Sequence, residues 1–438
     1  MNRQGRILVL LLLLSGLVGS LVHDSPIYPR LLYLAVLLIV SSWLWTRLTL
    51  RAMRLTRRAR TLRARVGDIF QENFEIHNTG RLPCLWLEVR NESPLRTATG
   101  SRLLTRIGGR QRRSYTVRTW LLQRGRYPLG PTRIQTGDPF GLFRAEKRIP
   151  ATQSLTVLPA SIPLQRFMEP PGLLPGGRIT RRKALDVTPH AAGVREYIPG
   201  DPMKRIHWPT TARRGRLMVK EFEQDPQAEV WLILDAQARV HAARPDESPP
   251  TLWDGWFFGT RPRVHLPPST MEYAVTIAAS LAQYFVRQKR AVGLITAGRV
   301  HTVLPAERSE RQIGKILETL AFVQAEGDLP LSSLIAAQAG QLPQGSSAIL
   351  ITPSTQSDLL VTVDELQRRQ LRPVVILLDA STFGGTRGSE ALATSLQNYG
   401  VPVCLIPFGA DLAQALSSLT DDSHLRRKQY VPNFHPYA

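Results

Sequence analysis

Residues 195–222 read REYIPGDPMKRIHWPTTARRGRLMVKEF and pack charge, turn chemistry and a short apolar period into one unbroken run. Pro199-Gly200 reads as a turn, Asp201 as a helix N-cap accepting backbone N–H bonds, and Pro202 as a first helical residue, where proline costs a helix nothing. The spacing predicts a short helix over 202–208. Pro209 is expected to end it, and Arg214-Gly215 to turn the chain. Leu217 and Val219 then alternate with Met218 and Lys220 as they would on a strand. On the two sides of this run the apolar period differs.

Downstream, residues 228–235, 291–297, 348–352, 373–379 and 401–408 are apolar runs of buried-strand type with helical patterns between them. Tyr273, Ile277, Leu281 and Phe285 recur every fourth residue and form one helix face. Strands alternating with helices imply an α/β domain with a parallel, doubly wound sheet over 228–422. Residues 248–269 insert Trp253, Trp256, Phe257 and Phe258 among prolines directly after the first strand, where open α/β sheets bind ligands. That aromatic cluster reads as a candidate partner contact or as a lid buried on the sheet edge. Residues 423–438, with Arg426, Arg427 and Lys428, read as a flexible basic tail.

Upstream, residues 66–158 show short alternating runs broken by Gly, Asn and Pro, with strands expected at 70–76, 85–89, 115–120 and 155–158. Such spacing suggests a β-sandwich-like domain. Asp138-Pro139-Phe140-Gly141 reads as a turn whose aromatic residue packs on it. Residues 159–227 comprise a Pro/Gly-rich linker and then the signature connector.

Residues 7–22 and 31–46 are apolar and separated by a short polar turn, which predicts a transmembrane helical hairpin within 1–65. A cleaved signal peptide is the competing reading of the first segment, since Arg3 and Arg6 precede it. Arg47, Arg51, Arg54, Arg57, Arg58, Arg60, Arg63 and Arg65 follow the second with no acidic residue until Asp68. Basic residues beside a span stay on the cytoplasmic side. Both termini and the soluble domains are therefore expected to face the cytoplasm, with Trp43 and Trp45 at the inner interface and Tyr28 at the outer one.

The chain of 438 residues carries 56 basic against 34 acidic residues, a net charge of +22. Much of the excess lies beside the membrane segment and in the tail, which fits anionic lipid better than nucleic acid, and no nucleic-acid recognition module is visible. Cys84 and Cys404 lie far apart and suit neither a disulfide framework nor a zinc site. No P-loop, nucleophile elbow or zinc spacing occurs. Glu196, Asp201, Arg205, His207 and Arg213 could be drawn as an acid, a base and an oxyanion clamp, or the arginines as a phosphate receptor. The structural reading accounts for more of them: Asp201 caps, Trp208 packs, and Glu196 or Glu221 pairs with arginines.

The run closely resembles the signature of the bacterial family called domain of unknown function 58. The residues that carry the resemblance are Arg195-Glu196-Tyr197, Gly200-Asp201, Arg205-Ile206-His207-Trp208, Ala212-Arg213 and the strand containing Lys220; upstream, Asp138 to Phe143 adds to it. The resemblance implies that the α/β half is a von Willebrand factor A-like domain. Many such domains hold a divalent ion on an Asp-x-Ser-x-Ser run after the first strand and on a later aspartate. Here Asp235-Ala236-Gln237-Ala238-Arg239 keeps only the aspartate, and Thr352-Pro353 stands in the second place, so a degenerate site at Asp235 without metal is expected. The resemblance further implies a non-enzymatic adaptor or assembly factor without cofactor at the inner membrane. Members are often found beside MoxR-type AAA+ ATPases and transglutaminase-like membrane proteins.

Overall fold

The computed structural model describes residues 3–95, 100–168, 191–198, 203, 206–222, 229–245 and 266–419. The chain divides into two compact units: Met1–Ser161 with Pro245–Pro268 and Leu317–Val323, and Ile162–Arg244 with Ser269–Ile316 and Gln324–Ala438.

The first unit opens with helices α1 (Arg3–Val22) and α2 (Ile27–Ala52). They pack as an antiparallel hairpin: a Cβ on Gly16 would meet the Leu32 backbone at 2.9 Å, and one on Gly19 would strike the Tyr28 ring. Only glycine allows that approach. Both helices outrun the expected spans. Helix α2 is long and apolar enough to cross a membrane, whereas the apolar part of α1, Ile7–Val22, is shorter.

Ten strands follow: β1 (Met53–Ala59), β2 (Arg63–Arg65), β3 (Ile69–Asn78), β4 (Cys84–Asn91), β5 (Arg102–Ile107), β6 (Arg112–Trp120), β7 (Gly125–Pro128), β8 (Thr132–Gly137), β9 (Arg144–Ile149) and β10 (Ser154–Leu158). They form sheets ordered β1-β3-β6, β2-β10-β7 and β5-β4-β8-β9. The period of two puts Phe70, Glu72, Phe74, Ile76 and Asn78 of β3 inward. Phe74 and Ile76 join Met53, Leu87, Val89 and Ile134 in one core, while Phe70 joins Leu121, Leu155 and Val157 in a second.

The strands expected at 70–76, 85–89, 115–120 and 155–158 all occur. The expected boundary at residue 66 falls late, because β1 follows α2 without a linker. The arginine run is thereby recast. Arg54 and Arg58 are exposed along an edge strand, with Arg60 exposed just past its end, where charge discourages sheet-to-sheet association. Arg57 turns inward onto Glu72.

The Asp138 turn also departs from expectation. Its carboxylate accepts N–H bonds from Phe140 (2.9 Å), Leu142 (3.2 Å) and Phe143 (2.6 Å), and Gly141 takes a positive φ of 74°. Leu142 is buried, but Phe140 is 57% exposed and does not pack on the sheet. Winding the turn around one buried carboxylate directs the Phe140 ring outward.

The second unit contains β11 (Ala191–Glu196), helix α3 (Trp208–Arg214) and β12 (Met218–Phe222), then β13 (Val230–Leu234), α4 (Thr270–Arg287), β14 (Val292–Ala297), β15 (His301–Glu307), α5 (Glu310–Phe322), α6 (Leu331–Gln338), β16 (Ser347–Thr352), α7 (Asp358–Arg368), β17 (Arg372–Leu378), α8 (Ser389–Asn398) and β18 (Val403–Ile406). The six-stranded sheet runs β15-β14-β13-β16-β17-β18, parallel except for β15. All five expected strands are present. Edge strand β15 had escaped notice because its burial is only partial, so it lacks the continuous apolar run of the others. Residues 162–167 of the linker lie along α4: Ile162 N donates to Ser280 Oγ (2.9 Å), and Phe167 is buried against Tyr284 and Phe285.

Candidate functional site

The signature folds as a ribbon. Strands β11 and β12 pair antiparallel, with Arg195 opposite Val219 and Glu196 opposite Met218. A third segment lies along β12: Ile206 bridges Val219, and His207 N donates to Met218 O (2.8 Å). On the other side Tyr197 N donates to Leu217 O (2.9 Å).

The helix expected over 202–208 begins where it was to end. Helix α3 runs Trp208–Arg214, and Pro209 sits in its first turn, where the missing N–H leaves no bond unmade. His207 precedes it in a non-helical conformation, its Nδ1 2.7 Å from Thr210 Oγ1. Gly215 ends the helix with φ 67°, its N–H reaching Thr211 O. The Thr211 hydroxyl oxygen accepts from Met218 N (3.0 Å), tying α3 back to β12.

Burial divides the ribbon sharply. Ile206, Met218 and Val219 are buried, whereas Ile198, Met203, Leu217 and Trp208 are exposed, Trp208 by 65%. The expectation that Trp208 packs is therefore corrected; α3 has no buried residue at all. Ala212, Arg213, Arg214 and Arg216 are exposed as well, and Arg216 pairs with Glu196 at 3.0 Å in open solvent. Tyr197 is half-buried. Gly200, Asp201 and Arg205, the side chains of Arg195 and Lys220, and Trp253, Trp256, Phe257 and Phe258 lie outside the described residues. Among the described residues, no acid, base and clamp converge on the ribbon. His207 bonds Thr210, and Glu196 is engaged by Arg216.

The second feature is the carboxyl edge of the sheet. β13 is flanked by β14 and β16, so the strand order reverses there, the kind of switch point at which open α/β sheets bind ligands. Asp235 ends β13, fully buried: Oδ2 accepts from Thr352 Oγ1 (2.6 Å) and Oδ1 from Gln237 N (3.0 Å). Thr352 Oγ1 in turn accepts from Ser354 N (2.9 Å). Thr352 thus occupies the Asp235 carboxylate with a hydroxyl. Arg239 is exposed. Among the described residues, no group of three or more His, Cys, Asp or Glu side chains is arranged to hold a metal.

His241, which the sequence reading did not single out, joins this edge. Its Nε2 lies 3.0 Å from the Asp235 carbonyl oxygen and its Nδ1 2.9 Å from Thr270 Oγ1. Because a carbonyl only accepts, Nε2 carries a proton, while Nδ1 shares a hydrogen bond with the Thr270 hydroxyl, which also reaches the Ala242 carbonyl at 3.1 Å. Thr270 comes after the long insertion, so no spacing in the sequence links it to His241.

Burial pushes the Asp235 carboxyl above the usual carboxylate range. The Thr352 and Gln237 bonds and nearby His241 pull it down, and Asp358 adds an upward push. The folded state then holds this proton more tightly than the unfolded chain. Stability contributed here is present at acid pH and declines as pH rises from about 4 through the folded-state value. Asp235→Asn is expected to flatten that decline in melting temperature as pH rises above about 4. The slope is the readout, since Thr352 also loses an acceptor; an unchanged slope would rule out Asp235 as its source.

These features define a protein class: a helix-anchored, sheet-rich unit and an α/β unit whose ribbon exposes apolar and basic side chains. Residues 193–244 match the family model described as Protein of unknown function DUF58. That segment, which runs from the ribbon to the Asp235 edge, is the part of the chain that is similar to the DUF58 family. The Uncharacterized protein YeaD of Bacillus subtilis (strain 168) is 22% identical over 245 residues, covering 54% of this chain and 52% of the relative. The chain thus matches about half the length of that relative. Among solved structures, the CARDB domain of the PF1109 protein from Pyrococcus furiosus is similar at 13% identity, over 24% of this chain and 91% of that one, with a TM-score of 0.19. The alkylpurine DNA glycosylase AlkC of Pseudomonas fluorescens is similar at 9% identity, over 32% and 42%, with a TM-score of 0.15. Neither likeness is close enough to bear on fold or function.

Proposed function

We propose that the protein is a membrane-anchored, non-enzymatic interaction or adaptor protein that docks a partner on the signature ribbon. The observation that carries this reading is the exposure of Ile198, Met203, Trp208 and Leu217 on the family segment, beside Arg213, Arg214 and Arg216. The backbone bonds of Tyr197 and His207 to Leu217 and Met218 hold the first, third and fourth of these positions on neighbouring segments. Apolar anchors ringed by cations suit a partner with an acidic rim around an apolar pocket, and Trp and Arg are the residues that most often carry binding energy. In keeping with the family resemblance, the partner is a MoxR-type AAA+ ATPase, and the work is assembly or maturation at the inner membrane. The sheet-rich unit is read as a β-sandwich-like spacer and the α/β unit as a von Willebrand factor A-like domain with a degenerate site at Asp235. Both hairpin helices cross the bilayer, leaving the termini and both units in the cytoplasm.

Crosslinking in native membranes followed by mass spectrometry tests the proposal. The intact chain should recover a defined ATPase that Trp208→Ala recovers at least tenfold less, about the effect of losing one interface hot spot. Equal recovery by both forms would move the contact off the ribbon. Recovery of no partner by either would count against an adaptor.

A further inference from the structure

The Asp138 turn joins β8 to β9, and α2 packs against both of these strands. A Cβ on Gly5 of α1 would lie 3.3 Å from the Phe140 carbonyl oxygen and 3.7 Å from Leu142 Cδ2, so the turn also abuts the start of α1. Following the hairpin pairing of Gly16 with Leu32 and Gly19 with Tyr28 back along both helices brings Gly5 level with about Ser42.

That level matters. A bilayer's hydrocarbon core takes roughly 20 helical residues, so a span that begins at Ile27 leaves the core near Thr46. Ser42, Thr46 and Thr49 form a buried stripe on α2, while Trp43, Leu44 and Leu48 are exposed on its other faces. Thr46 and Thr49 are buried past the level of Gly5, and α2 packs on β8 and β9. The sheet-rich unit therefore rises along α2 to the last turn of the span. Phe140 points outward there, and the only carboxylate of the turn is sequestered by its own N–H groups. Trp43, with the Arg47 guanidinium 5.8 Å from its ring, marks the same depth on α2.

We propose that the β8–β9 turn is a membrane-contact element, with the Phe140 ring seated in the headgroup–acyl boundary of the bilayer that α2 crosses. The proposal rests on the reading of α2 as a membrane span. Phe140 closes an apolar and aromatic rim with Trp43, Leu44 and Leu48, and the buried Asp138 carboxylate supplies the turn with internal hydrogen bonds that water would otherwise make.

The test uses the full chain in nanodiscs of phosphatidylethanolamine and phosphatidylglycerol. Spin labels are placed singly at Phe140→Cys, Leu37→Cys on α2, and Tyr399→Cys as an exposed position. The native thiols Cys84 and Cys404 are buried, so the parent chain serves as the blank. Collision with oxygen relative to a water-soluble nickel chelate should be several-fold higher at 140 than at 399, and higher still at 37. A ratio at 140 equal to that at 399, with 37 in hydrocarbon, would overturn the proposal and leave the span intact. A label at 140 shielded from both reagents would overturn it too, since the ring would then be packed against protein. If 37 and 140 both match 399, the span itself fails and the proposal with it.

Discussion

Arg57→Ala is expected to lower the unfolding free energy of the sheet-rich unit by about 3–5 kcal/mol, the usual consequence of stripping one partner from a buried ion pair. The guanidinium grips Glu72 by two bonds, Nε to Oε1 at 2.5 Å and Nη2 to Oε2 at 2.7 Å, and its Nη1 donates to Asn91 Oδ1 at 3.0 Å. Its Cζ lies 4.9 Å from the Phe74 ring centroid. Side-chain exposure is 10% for Arg57 and 1% for Glu72, so water screens the pair little and cannot replace the lost cation. Glu72 sits on β3, the middle strand of its sheet, where no movement would bring it to solvent. Arg57→Lys should recover only part of the loss, because an ammonium cannot reproduce the two-pronged geometry. Replacing both partners together, Arg57→Met with Glu72→Leu, should recover more than either single change, since no charge is then left unpaired. Denaturant melts of the full chain in detergent decide the matter. A loss below about 1 kcal/mol for Arg57→Ala would mean that the pair behaves like a surface bridge.

Asp138→Ala is the second large effect, at about 2–4 kcal/mol. Three backbone N–H groups lose a charged acceptor at once, and that of Leu142 is buried away from water. Asp138→Asn should cost less, because its amide oxygen still accepts while its NH2 faces a donor. Amide hydrogen exchange supplies the local readout. Phe140, Leu142 and Phe143 should lose protection in Asp138→Ala, while the β3 amides keep theirs. Uniform loss across the unit would instead point to global unfolding.

The parts legible in the sequence were those with strong periods. The five parallel strands read as continuous apolar runs because both faces of the sheet are covered, and β3 and β6 read as alternation because one face is. Strand β1 was hidden. Its inward positions hold Met53, Leu55 and Arg57, and an arginine inside a core is visible only once its carboxylate is known. Beside an apolar helix, the same arginines looked like a signal of topology and of attraction to anionic lipid. Helix α3 was displaced because proline both ends and begins helices, and Pro209 was read the first way. Trp208 was expected to pack because aromatics usually do, yet nothing among the described residues covers it. Asp235 and Thr352 were both noticed as the remains of a metal site. Their mutual hydrogen bond and the approach of His241 depend on the parallel alignment of β13 with β16, which no local pattern encodes.

The junction of α2 with β1 has a mechanical meaning. The helix passes directly into the strand: Met53 is buried in the sheet core, and the Thr79 amide and hydroxyl both hold the Ala52 carbonyl. There is no swivel at this point. A load applied to the sheet-rich unit would reach α2 as torque and tilt the helix before it bent the connection. A junction of this kind works as a strut and not as a tether, so whatever pulls on the unit also pulls on α2.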